Sequence, residues 1–220
     1  RGGRMQIEKD RAEILSGVRH GLTMGSPISM LILNRDWATG KGPDGVPWVD
    51  EMNIAPTDVP FEPITSLRPG HADTPGIAKY MQADARNILE RSSARESAAR
   101  VAAGAIAQRF LEEFGVEIHG HVVCIGGVHA KPQGSIDWDL LEESPYHREN
   151  LNGSKIAAVR CADEDAAAKM IVEIDSAREA GDSLGGIMEV VATGLPVGLG
   201  SFIQWDRKIT THLAAAVMSI

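Results

Sequence analysis

The chain has 220 residues, 43% of them hydrophobic, and a formal net charge of −8. This size allows one sizeable hydrophobic core, and the negative charge argues against a nucleic-acid-binding protein, which needs a basic face. Two cysteines are too few for a disulfide framework, and no apolar run of about 18 residues predicts a membrane span. We therefore expect one cytoplasmic domain, residues 1–220, that binds neither nucleic acid nor membrane.

The first predicted elements are strands. Aliphatic and β-branched residues between turn signals predict strands over residues 4–7, 13–18 and 28–34. Residues 37–67 then change to a composition rich in Gly, Pro and Asp, without a helical or strand period. We expect a mobile loop there, and both a lid and a disordered insertion fit this composition.

A loop-to-helix junction follows at residues 68–76, which read RPGHADTPG. Asp73 is the expected N-cap of a short helix, and Pro75 is an early helical residue. His71 lies in the turn before this helix. It is either a solvated loop residue or a titratable group of a functional site.

Residues 90–100, ERSSARESAAR, place arginines and small hydroxyl groups at the start of the next helix. Ser93 followed three residues later by Glu96 predicts a capping box, which would leave free backbone N–H groups at a positive helix end. A phosphate group would bind well there. An ordinary helix cap is the alternative interpretation.

The remaining elements are longer. A helix is predicted over residues 94–114, with one apolar face made by Ala103, Ile106, Ala107, Phe110, Leu111 and Phe114. Strands are predicted over 116–128 and 187–193. Between them, a helix over 163–180 ends at Gly181, with five residues inward: Ala167, Met170, Ile171, Ile174 and Ala177. The order of elements predicts an α+β fold, in which helices pack against mainly antiparallel sheet.

Two further patterns have structural interpretations. His119 and His121 lie on one face of the strand predicted over 116–128, and His129 follows it. A third metal ligand at a characteristic spacing is lacking, so we expect structural or exposed histidines and no metal. GLPVGLG at 194–200 predicts a tight turn between packed strands, where a side chain would clash.

Several blocks carry a family resemblance. They are RGGRMQIEKD at 1–10, SGVRHGLTMGSPI at 16–28, RPGHAD at 68–73, ERSSARESAARVAAGA at 90–105 and GLPVGLGSFIQWDRK at 194–208. In this order they resemble the chorismate synthase family along nearly the whole chain. The resemblance implies a β-α-β sandwich fold, a homotetramer, and a carbon-oxygen lyase of the shikimate pathway of aromatic amino acid biosynthesis. Such an enzyme converts 5-enolpyruvylshikimate 3-phosphate to chorismate and phosphate by 1,4-anti elimination with reduced FMN.

The resemblance also implies site residues. His71 is the expected catalytic residue, and Arg91, Ser92 and Ser93 are the expected FMN contacts. Anionic groups of the substrate, or of NADPH in members that reduce their own flavin, are expected to bind Arg1, Arg4, Arg68 and Arg95. The segment with Arg19 and His20 either lines the same pocket or forms a turn with surface charges.

The resemblance further implies that the chain is a fragment, incomplete at both ends. The alternative function is a catalytically incomplete scaffold that only binds flavin or anions, or serves in assembly.

Overall fold

A computed structural model describes residues 11–34, 62–89, 91–132, 134–142 and 158–220. The strand predicted over 4–7 lies outside these residues, as does most of the loop predicted over 37–67. The chain divides into two compact units, Arg1–Ala107 with Ile220 and Gln108–Ser219. The single domain therefore stays a prediction.

The first unit begins with short antiparallel strands. β1 (Ala12–Ser16) pairs with β4 (Ser29–Ile32), and β2 (Val18–Arg19) pairs with β3 (Leu22–Thr23). The turn between β2 and β3 uses the left-handed backbone at His20 and Gly21, with φ of 50° and 79°. Such paired positive φ angles match the twist of a tight hairpin. The strands predicted over 13–18 and 28–34 are confirmed.

Three helices complete this unit or continue from it. α1 comprises Asp73–Tyr80, α2 comprises Arg86–Leu89 and α3 comprises Glu96–Glu112. α1 and α2 approach closely at Gly76, where an added Cβ would lie 2.5 Å from Cγ2 of the buried Ile88. The small glycine thus lets the two helices pack.

The second unit contains a three-stranded antiparallel sheet in the order β6-β5-β7. β5 (Glu117–Ile125) lies between β6 (Val128–His129) and β7 (Gly186–Thr193). Helix α5 (Glu164–Ala180) contributes Ala166, Ala167 and Met170 to a buried cluster with Cys161, and Val122, Ile125 and Val128 of the sheet pack against it. This arrangement confirms the predicted α+β class with mainly antiparallel sheet.

The ends of α5 follow the predicted signals. Asp163 is the N-cap, and its Oδ1 accepts a hydrogen bond of 3.0 Å from the Ala166 N–H. Gly181 ends the helix in the left-handed conformation with φ of 68°. The short helix α4 (Trp138–Glu142) precedes α5, and a 3-10 turn (Trp205–Arg207) leads into α6 (Ile209–Met218).

The inward positions expected on two helices are only partly buried. On α5, Ala167 and Met170 are fully buried, whereas Ile174 is 38% exposed. On α3, no residue is buried, and Phe110 and Phe114 are 64% and 67% exposed with their rings in edge contact at 5.1 Å. The apolar stripe of α3 therefore exists but is not covered by the described residues.

None of the described helices has the length and hydropathy that a membrane span requires.

Gly194, which ends β7, provides a test of the packing. Its φ is 68°, and a methyl group there would overlap the Gly115 carbonyl oxygen. Gly194→Ala is expected to lower the free energy of unfolding by about 3 kcal/mol or more, because backbone strain and overpacking add. Urea titration followed by circular dichroism measures this change.

Gly198 is the matched control, since its φ is 90° but an added Cβ would meet nothing within 4 Å. Gly198→Ala should cost only the strain, about 1 kcal/mol. Equal losses in the two variants would contradict the predicted clash at Gly194.

Candidate functional site

The junction before α1 is organised by an ion pair between Arg68 and the buried carboxylate of Asp73. Asp73 is fully buried, and its Oδ2 accepts hydrogen bonds from the backbone N–H of Arg68 at 2.9 Å and from Arg68 Nε at 3.0 Å. Asp73 Oδ1 accepts a third bond, of 2.8 Å, from Arg68 Nη2. The two side chains therefore meet in the bidentate geometry that suits guanidinium and carboxylate groups.

This pairing corrects the predicted role of Asp73. Ala72 occupies the N-cap position of α1, and no side chain caps this helix end. Asp73 is instead the first helical residue, and its carboxylate turns to Arg68. A guanidinium offers more and stronger donors than one helical N–H, so Asp73 binds Arg68 instead of capping its own helix.

The hydrogen bonds from Arg68 lower the pKa of Asp73 to about 2. The side-chain bond has the largest effect, the backbone bond from Arg68 adds to it, and desolvation of the carboxylate opposes both. The same side-chain bond raises the pKa of Arg68. Both groups are thus charged at neutral pH.

His71 lies beside this pair. Its Nδ1 is 3.1 Å from Arg68 Nη2 and 3.5 Å from Asp73 Oδ1, and its side chain is 35% exposed. A guanidinium can only donate, so Nδ1 accepts the hydrogen bond and the ring proton of neutral His71 is on Nε2. The structure thus brings together two of the predicted site residues, Arg68 and His71.

The segment before Arg68 is held by a second carboxylate. Asp84 Oδ1 accepts hydrogen bonds from the backbone N–H groups of Ile64 at 3.1 Å and Arg86 at 2.9 Å. The Ala85 N–H also donates to the Ile64 carbonyl oxygen at 2.9 Å. These bonds tie residues 62–68 to the start of α2.

The turn between α2 and α3 differs from the predicted capping box. Ser93 Oγ accepts a bond of 3.3 Å from the Arg95 N–H, and α3 begins only at Glu96. The N–H groups of the first residues of α3, Glu96, Ser97 and Ala98, donate to the carbonyl oxygens three residues earlier. The expectation of free N–H groups at this helix start is therefore wrong for these positions. These N–H groups are already hydrogen-bonded within a tight turn.

Side chains supply the remaining donors of this segment. Arg91 is exposed, and no acceptor among the described residues contacts its guanidinium. The oxygen of Ser93 accepts from Arg95, so its O–H remains available as a donor. Ser92 Oγ instead donates to the Ile88 carbonyl oxygen at 2.8 Å. An anion would therefore find its donors first in Arg91 and Ser93.

Arg95 borders an open pocket of about 290 Å³ in the first unit. The other lining residues are apolar and come from β4 and α3: Met30, Ile32, Ala98, Ala99 and Ala102. Arg95 Nη2 also donates to the Leu33 carbonyl oxygen at 3.4 Å. A pocket lined by apolar side chains and the guanidinium of Arg95 suits a ligand that has an anionic group attached to a carbon skeleton.

The predicted site residues are not all placed by the structure. Arg1 and Arg4 lie outside the described residues. The segment that contains His71 and the turn that contains Ser92 are connected through α2. Ile88 of α2 packs against Gly76, and the Ile88 carbonyl oxygen accepts a hydrogen bond from the Ser92 hydroxyl. Sequence reasoning missed Asp73 as an anchor, although an acidic residue five positions after Arg68 in a single turn was an available signal.

The histidines of β5 have protein partners. His119 stacks on Trp138 with ring centroids 4.6 Å apart, and His121 Nε2 is 3.2 Å from Glu189 Oε2. His129 Nε2 is 3.6 Å from Cys124 Sγ. In the part of the chain that the structure describes, no three His, Cys, Asp or Glu side chains are grouped as metal ligands.

Comparisons with known proteins agree on one family. The family model described as chorismate synthase matches residues 1–220. The chorismate synthase of Symbiobacterium thermophilum is 47% identical over 100% of this chain and 54% of its own length, and that of Geobacter sulfurreducens is 48% identical over 100% and 52%. A crystal structure of chorismate synthase has a TM-score of 0.66 and 40% identity, covering 99% of this chain and 55% of that one. The chain thus spans about half the length of the curated relatives it matches, and this likeness confirms the predicted fold class.

The depressed pKa of Asp73 predicts an acid-dependent loss of stability. Ionised Asp73 stabilises the folded chain fully above about pH 4, the range of an unfolded aspartate, and this contribution is lost as pH falls toward the folded pKa of about 2. The difference in unfolding free energy between the chain and Asp73→Asn should therefore be constant above about pH 4 and narrow below it. Urea titrations at several pH values measure it. A difference that does not narrow in acid would show that Arg68 does not lower the pKa of Asp73.

Proposed function

Because this chain belongs to the chorismate synthase family, we propose that it forms part of an enzyme that converts 5-enolpyruvylshikimate 3-phosphate to chorismate and inorganic phosphate. The reaction is a 1,4-anti elimination, in which a carbon-oxygen bond to phosphate breaks and the substrate loses a proton. The observation that carries the proposal is the exposed Nε2–H of His71, held by Arg68 and Asp73 in a chain that matches the family over its whole length.

The substrate carries phosphate and carboxylate groups, so the site needs local positive charge in a chain whose net charge is −8. We assign this role to Arg1, Arg4, Arg68 and Arg95. Arg68 contacts Asp73 through Nε and Nη2, and its Nη1 meets no acceptor among the described residues. It can therefore bind a carboxylate or phosphate without releasing Asp73. Arg95 offers its charge at the edge of the apolar pocket.

Reduced FMN, when bound, supplies electron density to the substrate as phosphate leaves. The donors of this chain fit its phosphate group, since Arg91 is without an ionic partner in the described chain and Ser93 has a hydroxyl proton to donate. We assign FMN binding to Arg91, Ser92 and Ser93. Ser92 contributes chiefly by holding the turn, because its hydroxyl donates to Ile88.

His71 is the proposed catalytic residue. It holds a proton at Nε2, on the side of the ring away from Arg68, and side-chain exposure of 35% leaves this edge accessible to a ligand. Neutral His71 in this state donates a hydrogen bond from Nε2 to a ligand. Proton transfer at Nε2 requires the imidazolium form, which can give up that proton as a general acid and take it back as a base. In this proposal the arginines bind the anionic groups, and His71 donates and accepts the proton.

The proposal extends to the reductant, the assembly and the compartment. NADPH is the reductant if the enzyme reduces its own flavin, and the protein is a cytoplasmic homotetramer. Large apolar side chains on β7 and the segment after it are exposed, among them Met188, Val190, Val197, Phe202 and Trp205. Such a surface is covered in the longer protein by its own residues or by a second subunit.

The alternative function, a scaffold that binds flavin or anions without turnover, is not favoured. The family match extends over residues 1–220 without leaving out the site segments.

Chorismate formation tests the proposed function. A protein that contains this chain at the length of its relatives should form chorismate from 5-enolpyruvylshikimate 3-phosphate under anaerobic conditions with chemically reduced FMN. His71→Ala should lower kcat by about 100-fold or more with little change in KM, as expected for loss of an acid-base group. His129→Ala, an exposed histidine of β6, is the control and should keep full activity. Absence of chorismate with any reductant would reject the function, and full turnover of His71→Ala would remove His71 from the mechanism.

Flavin binding tests the role of the turn before α3. Ser93→Ala should weaken FMN binding by about tenfold, because one hydrogen bond to a charged phosphate is lost. Ser97→Ala is the matched control, since Ser97 Oγ donates to the Ala94 carbonyl oxygen in the same turn. Fluorescence titration with FMN measures both dissociation constants. Equal dissociation constants for Ser93→Ala and the unaltered protein would exclude Ser93 as a phosphate contact.

A further inference from the structure

We propose that Asp73 is a positioning residue that sets the tautomer of His71 through Arg68. The chain of contacts runs from the buried carboxylate to the guanidinium and from the guanidinium to the imidazole ring. The use of the His71 proton rests on the proposed function. The tautomer itself is a property of this chain and can be measured without turnover.

The first step is that Asp73 fixes the guanidinium of Arg68. Nε and Nη2 lie on one edge of the guanidinium, and both donate to the Asp73 carboxylate, at 3.0 and 2.8 Å. The backbone N–H of Arg68 donates to the same carboxylate at 2.9 Å, so both ends of the arginine are held by one buried group. The low pKa of Asp73, about 2, keeps this acceptor ionised at neutral pH. Arg68 therefore has one preferred orientation.

The second step is that Arg68 fixes the protonation of the ring. Nη2 lies 2.8 Å from Asp73 Oδ1 and 3.1 Å from His71 Nδ1, and it carries two hydrogens with which to serve both acceptors. Guanidinium neither accepts a hydrogen bond nor loses its proton in proteins, so this contact exists only when Nδ1 is unprotonated. Neutral His71 must then carry its proton on Nε2. Free imidazole has no such constraint and exchanges between two tautomers.

The third step concerns the charged ring. A proton added to His71 goes to Nδ1, which then faces the cationic Arg68 and loses its hydrogen bond. Asp73 Oδ1 is 3.5 Å from Nδ1, and a small ring rotation brings it within reach as an acceptor. The same carboxylate thus serves both states: through Arg68 it orients the neutral ring, and directly it can accept from the charged one. In both states Nε2–H is a donor, and no described residue contacts it.

A matched pair of variants separates this role from simple structural support. Asp84 is also a carboxylate of this unit that accepts two backbone N–H bonds, but it contacts neither Arg68 nor His71. Asp84→Asn should therefore lower stability without changing the ring. Asp73→Asn removes the charge that holds Arg68 and should release the His71 ring to both tautomers.

The direct measurement is ¹⁵N NMR of the histidine rings in the 220-residue chain labelled with ¹⁵N-histidine. At a pH where His71 is neutral, its signals should show unprotonated Nδ1 and protonated Nε2 in the unaltered chain and in Asp84→Asn. In Asp73→Asn the Nδ1 shift should move toward the average of two tautomers. His71→Gln identifies the signals by their disappearance. A proton on Nδ1 in the unaltered chain, or no change in Asp73→Asn, would overturn the proposal.

Arg68→Lys covers the case in which Asp73→Asn does not fold. Lysine keeps a positive charge next to Asp73 but lacks the fork that joins the carboxylate to the ring, so the ring signals should again show both tautomers. Retention of a single Nε2–H tautomer in Arg68→Lys would equally reject the proposed relay.

Activity measurements distinguish this inference from the proposed function. In the longer protein, Asp73→Asn should lower kcat at least about tenfold with little change in KM, as loss of an orienting carboxylate does in other enzymes. If the NMR spectra show the expected tautomers but no variant forms chorismate, the proposed function is rejected and the role of Asp73 in setting the tautomer is kept. If chorismate forms but the His71 tautomer is unchanged in Asp73→Asn, the proposed function is kept and the role of Asp73 is rejected.

Discussion

The buried pairing of Asp73 with Arg68 is the interaction on which the candidate site depends. An ionised Asp73 is costly to bury without a partner. Arg68 supplies that partner, and three hydrogen bonds leave the loop between the two residues little freedom. His71 lies within this loop and contacts both groups. The position of the His71 ring is therefore a consequence of this ion pair.

The donors that we propose for anions are side chains more than the N–H groups of a helix end. The first N–H groups of α3 are used by a tight turn, so the helix start offers fewer free donors than the sequence pattern suggested. Arg91 and the hydroxyl of Ser93 remain, and Arg95 adds a charge at an apolar pocket. In a chain whose net charge is −8, these cations supply positive charge only locally.

Elements of the chain differ in how far they bury their apolar residues. In the second unit, α5 packs against β5 and β6 and buries Ala167 and Met170 completely. α3 and β7 have equally apolar patterns, but Phe110, Phe114 and Met188 remain exposed. The relatives are about twice as long as this chain. In a protein of that length, residues outside the region that this chain matches can cover these apolar side chains.

The sequence alone determined the longer helices and strands and both ends of α5, because their signals are local. Asp163 and Gly181 mark the ends of α5 as the residues themselves predict, and Gly194 lies where the chain allows no side chain. The ordered motifs also determined the family. Only the tertiary structure decided that Asp73 binds Arg68 rather than its own helix, and that the Ser93 hydroxyl accepts from the N–H of Arg95 rather than from that of Glu96. A short polar side chain has several partners of similar energy within reach, and three-dimensional packing decides which of them is close enough to bind.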